Sequence, residues 1–113
     1  MLEIAVREVG DVGVLDARGR ILIGEGNDRL QRELQLLIQK GYRKIVVNLD
    51  GVAQIDSSGI NTLARHCTIL ARAQGSLKLV CPSGRVRNTL ELMRLLQAIP
   101  AFDDEAAALA SFR

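Results

Sequence analysis

Residues 44–49 read KIVVNL, and this run restricts the fold more than any other stretch of the chain. Its β-branched side chains stand at successive positions instead of alternating with polar ones, so both faces of the strand they form must be covered. Such a strand belongs in the middle of a sheet. The segments on either side have a different period. From Asp28 to Lys40, Leu30, Leu34, Leu37 and Ile38 fall on one helical face, Arg29, Arg32, Gln35 and Gln39 fall on the other, and Gly41 supplies a stop. After KIVVNL, Ile60, Leu63, Ala64, Cys67, Leu70 and Ala71 recur at helical spacing until Gly75, and SLKLV then makes another strand.

The alternation continues towards both ends. EIAVREV and VGVLDARG, separated by Gly10 and Asp11, predict a hairpin with a tight turn. In RILIGEGN, Gly24 and Gly26 interrupt regular structure, and Asn27 offers an N-cap side chain to the first helix. Ser83 to Leu96 predicts a third helix with Val86, Leu90 and Met93 inward, IPAF a brief edge strand, and Asp103 to Phe112 a last helix capped by Asp103. Strands joined through helices need right-handed crossovers. The expected class is therefore α/β, with a single-layer mixed, mainly parallel β-sheet, βα crossovers and an antiparallel N-terminal strand. No repeat or linker divides the chain, so residues 1–113 are read as one domain.

Composition narrows the function classes. The apolar share of 48% and charged share of 25% are those of an ordinary globular protein. No apolar run approaches the roughly 18 residues that span a bilayer, and MLEIAVREVG alternates charge rather than forming a signal sequence. A cytoplasmic protein without direct membrane insertion is expected. Cys67 and Cys81 lack CxxC spacing and read as free thiols, with no metal site. A formal charge of +2 and only Tyr42, Phe102 and Phe112 as aromatics leave little for nucleic acid to bind. Arg85, Arg87 and Arg94 read as the solvated face of the third helix.

The stretch QIDSSGINTLAR, residues 54–65, enters the second helix from a loop and carries the densest polar chemistry. Neither serine sits in the G-x-S-x-G elbow of a hydrolase. His66, read as a partly exposed helix residue, lies nine residues beyond Ser57 and eight beyond Ser58. That spacing exceeds about 10 Å along a helix axis, too far for a general base. GxxxxGK[ST] is absent, so no nucleotide or other cofactor is implied. From the residues alone, Asp56 or Ser57 caps the helix, a contribution of about 1 kcal/mol.

NLDGVAQIDSSGINTLARHCTILARAQGSLKLVC nevertheless resembles the signature region of the STAS domain of bacterial anti-sigma factor antagonists. GRI at 19–21 is similar to that family's G-x-[LI], and LELMRLLQAIPAFDDEAAALASF to its closing elements. The resemblance implies that the first serine of D-S-S-G, here Ser57, is phosphorylated by an anti-sigma factor that is also a serine kinase, with Ser58 as the alternative acceptor. The unphosphorylated form would bind the kinase, the phosphorylated form would release it, and a serine phosphatase would reset the switch. The implied partner surface comprises Gly24, Glu25, Gly26, Asn27, Asp56, Ser57, Ser58, Asn61, Arg65 and Thr68, on a monomer or weak dimer. Asn61 replaces the family's usual small residue, and IGEGN lacks its usual aspartate. A second reading is a STAS-like accessory subunit of a membrane lipid-transport ATPase, docking without phosphorylation.

Overall fold

A computed structural model describes residues 1–82 and 84–112. The strands are β1 (Leu2–Val9), β2 (Val12–Ile21), β3 (Lys44–Ile55), β4 (Ser76–Val80) and β5 (Ala101–Phe102). The helices are α1 (Glu25–Gln39), α2 (Ser57–Arg72), α3 (Arg85–Leu92) and α4 (Glu105–Ala110), with a 3-10 turn at Leu95–Gln97. The strands form one five-stranded sheet in the order β1-β2-β3-β4-β5. β1 runs antiparallel to β2 through the turn at Gly10 and Asp11, and every other pairing is parallel. KIVVNL thus lies at the centre, with Ile45, Val46 and Val47 each 0% exposed.

The consecutive apolar residues of β3 feed two cores. Ile45, Val47 and Leu49 join Leu15, Ile21, Leu30, Leu34, Leu63, Leu70 and Leu90 in the larger cluster, which packs α1, α2 and α3 over one face. Val46 joins Val12, Val14, Val80 and Ala108 in a smaller cluster where α4 covers part of the other face. Arg7 ties that helix to the sheet by pairing with both Asp16 and Glu105. Lys78 donates to the Ser111 hydroxyl at 2.7 Å and stands 4.2 Å from the Phe112 ring centre.

Several boundaries differ from the sequence expectation. β3 runs on past Leu49 to Ile55 because Gly51 and Val52 pair with Arg18 and Gly19 of β2 across a bulge. α1 begins at Glu25, so Asn27 is inside it rather than capping it. Gly26 is helical because the first turn presses on β2, where any Cβ would stand 2.7 Å from the Arg20 carbonyl oxygen. α3 ends at Leu92, Arg94 takes a left-handed φ of 60°, and the chain restarts as the 3-10 turn. Met93 is consequently 52% exposed instead of inward, and Leu95 and Ile99 fill the core in its place. The expected start of that helix at Ser83 lies outside the described residues. Asp104, not Asp103, caps α4, accepting the Ala107 N–H at 2.8 Å. Arg87 is not simply solvated, since it donates to the Cys81 carbonyl at 2.8 Å and pairs with Glu91 and Asp103.

Candidate functional site

The end of β3 and the start of α2 are built by four consecutive residues with separate tasks. Asp56 is extended, with φ −107° and ψ −177°, and its Oδ1 accepts from the backbone N–H groups of Ser58 and Gly59 at 3.0 and 3.2 Å. Its Oδ2 accepts the Ile23 N–H at 2.8 Å, which fastens the loop after β2 to the same carboxylate. Burial pulls the Asp56 pKa up, but hydrogen bonds from the Ser58 hydroxyl and from the Ile23, Gly59 and Ser58 N–H groups outweigh it, holding the carboxyl below its usual value.

The two serines are not equivalent. The Ser58 hydroxyl donates to Asp56 Oδ1 and the residue is half-buried. Ser57, the first residue of α2, is exposed, and its hydroxyl makes no hydrogen bond among the described residues. It stands at the positive end of the helix, whose first turn contains no acidic residue. Gly59 follows because nothing larger fits. A Cβ there would lie 2.6 Å from Ile21 Cγ2 and 2.9 Å from Ile55 Cγ1. A capping carboxylate, an open hydroxyl, a tethered hydroxyl and a contact glycine therefore account for D-S-S-G.

The remaining expected partner residues do not form one surface, and Gly24 is the exposed residue just before α1. Asn27, Ser58, Asn61, Arg65 and Thr68 line one open groove of about 940 Å³ between α1 and the outer side of α2. Polar side chains bridge it from one helix to the other. Thr62 Oγ1 donates to Asn27 Oδ1 at 2.6 Å, and Arg65 donates to Gln31 Oε1 and Thr62 Oγ1, each at 3.3 Å. Glu25 instead lines a separate depression with Asp28, Arg29 and Arg32, and Gly26 is partly covered. Gln31, Thr62, Ile69 and Arg72 also line the groove and were not singled out from the sequence. Ile69 carried a usable signal, an aliphatic residue off the apolar face of its helix. Ile23, an aliphatic residue just before the glycines of the loop after β2, is 81% exposed beside the Asp56 tether and was likewise not singled out.

His66 corrects the sequence reading, being only 2% exposed. Its Nδ1 lies 2.7 Å from the Thr62 carbonyl, to which it donates, and Nε2 has no partner among the described residues. Desolvation lowers its pKa, against the Thr62 hydrogen bond and with help from Arg65. Cys67 and Cys81 are free, and burial raises both thiol pKa values.

The STAS domain family model matches residues 3–108. The chain belongs to the STAS domain family. BtrV of Bordetella bronchiseptica, named as a candidate anti-sigma factor antagonist, is 29% identical over 86 residues, 76% of this chain and 74% of BtrV. The crystal structure of an anti-sigma factor antagonist from Mycobacterium paratuberculosis superposes with a TM-score of 0.88 at 19% identity, covering 98% of this chain and 93% of that one. SpoIIAA of Bacillus in its phosphorylated form superposes with a TM-score of 0.74 at 18% identity, covering 98% and 100%. The STAS fold thus includes the N-terminal antiparallel strand and the mostly parallel sheet expected from the sequence. Among the described residues of this STAS domain, no helix is long and apolar enough to cross a membrane.

Proposed function

We propose that this STAS domain is an anti-sigma factor antagonist that binds an anti-sigma factor serine kinase and is switched off by phosphorylation of Ser57. The observation that carries the reading is the contrast between the serines. The Ser57 hydroxyl is open at the head of α2, whereas the Ser58 hydroxyl is bonded to Asp56. A kinase needs an acceptor oxygen that can approach the γ-phosphate in line, and Ser57 offers one without unfolding the helix. The names of BtrV and of the Mycobacterium paratuberculosis structure support the sigma-regulatory role, and the phosphorylated SpoIIAA structure supports a modification on this fold.

The electrostatics of the switch are local. A phosphate adds about −1.5 to −2 charges, beside the ionised Asp56 and within the surface offered to the partner. The positive end of α2 offsets part of that charge, so the fold tolerates it. A carboxylate of the partner approaching to about 4 Å would meet a repulsion of about 4 kcal/mol per charge pair at an effective dielectric constant of about 20. Each 1.4 kcal/mol or so is tenfold in affinity. A serine phosphatase returns the chain to its binding form. The chain acts by occupying the kinase and does no chemistry itself.

The test is incubation with the kinase and ATP, followed by mass spectrometry of the intact chain and its peptides. One phosphate on Ser57 is expected, lost in Ser57→Ala and kept in Ser58→Ala. Labelling of Ser57→Ala with loss in Ser58→Ala would move the acceptor by one residue. No phosphate uptake on either serine would favour the accessory subunit of a lipid-transport ATPase.

A further inference from the structure

The geometry points to an acidic partner surface gripped by Arg65, Ile69 and Arg72 along the outer side of α2. This rests on the antagonist reading and specifies the chemistry that the kinase must present. The three residues are spaced by four and three positions, which places them in one row on a helix. All three line the α1–α2 groove that also reaches Ser58.

Ile69 is left out of the core. α2 meets the core through Ile60, Leu63 and Leu70, while Ile69 remains 44% exposed. Arg7, Lys44 and Arg87 each pair with a carboxylate of this chain. Arg65 and Arg72 do not, among the described residues, a state they share with most cations of the chain, and what sets them apart is that both line this groove beside Ile69. Arg65 is already oriented by Gln31 and Thr62, so little side-chain freedom remains to be lost when a partner arrives. Two cations without internal counter-ions, flanking an aliphatic side chain, match a partner segment with carboxylates on either side of an apolar residue.

Ser57 lies eight residues before Arg65 on the same helix, about 12 Å along its axis. The row therefore adds affinity next to the switch, and the phosphate acts on the part of the partner that covers the head of α2.

The experiment uses a purified anti-sigma serine kinase chosen because it phosphorylates this chain, with affinities measured by calorimetry at several salt concentrations. Arg72→Glu and Ile69→Ser are each expected to weaken binding by about tenfold. Both positions are exposed, and unchanged far-UV circular dichroism confirms that the variants fold. Arg72→Ala should move in the same direction. Wild-type affinity should fall as salt rises from about 0.05 to 0.5 M, with a shallower slope in Arg72→Glu, and an acidic-to-arginine replacement on the kinase should restore binding to Arg72→Glu. Equal affinity of all variants, or no dependence on salt, would overturn the acidic-partner assignment while leaving the antagonist reading intact. Failure to find any kinase that binds and phosphorylates the chain would overturn both.

Discussion

At Asp56 one carboxylate closes the first turn of α2 through Oδ1 and holds the loop after β2 through Oδ2. Asp56→Ala removes the cap and the loop tether together, and should cost about 2 kcal/mol in urea unfolding, the upper end of simple capping losses. Asp56→Asn keeps one acceptor for the cap but turns an NH2 group against the Ile23 N–H, so it should recover only part of that loss. Gly59→Ala should destabilise by about 1–3 kcal/mol, because the methyl must displace Ile21 and Ile55 from a closed core. His66 sets a pH dependence. Its pKa is lowered in the folded state from 6.5, so the unfolded chain takes up a proton first as pH falls. Stability should be constant above that value and decline below it, and urea midpoints measured against pH should lose this decline in His66→Leu. The lowered pKa of Asp56 acts further down, with stability present above 3.8 and lost as pH falls towards the folded-state value.

Among the elements, α1 and α2 work as a pair because Thr62, fully buried, bonds to Asn27 across them. Thr62→Val keeps the shape but leaves the Asn27 amide oxygen without its donor, which should cost about 1–2 kcal/mol and release Arg65 from one of its two anchors. The break between α3 and the 3-10 turn has a different cause. Arg94 holds a left-handed conformation that glycine adopts without steric cost, so Arg94→Gly should stabilise by about 1 kcal/mol in thermal unfolding. A helix continued through Leu96 would place Met93 inward by periodicity alone. Tertiary packing decided otherwise, since Leu95 and Ile99 are the residues that reach the core. Helix starts were similarly hidden. Gly26 reads as a breaker until the contact with Arg20 is known, and Asp103 and Asp104 are indistinguishable as caps without coordinates.

On the scale of the whole molecule, the central place of KIVVNL and the antiparallel N-terminal strand were readable from two periodicities, though the full strand order was not. KIVVNL required two covered faces and obtained them, and the hairpin signal at Gly10 and Asp11 fixed the antiparallel edge. The resemblance implied that the loop after β2 and α2 share a surface, but the individual contacts were not readable. Nothing in sequence spacing places Ile23 beside Asp56, Asn27 against Thr62, or Gln31 against Arg65, because those contacts join segments about 30 or more residues apart, the first between two loops and the others through packing of α1 on α2. The same limit hid the burial of His66. The D-S-S-G motif was visible, but the inequality of its serines depends on where the Asp56 carboxylate points. The role of Ser57 is tested most directly by comparing the affinity of the serine kinase for the unmodified chain and for the chain phosphorylated at Ser57 alone. The expected result is a loss of about a hundredfold or more with the circular dichroism spectrum unchanged; equal affinity for the two forms would contradict a charge switch at this hydroxyl.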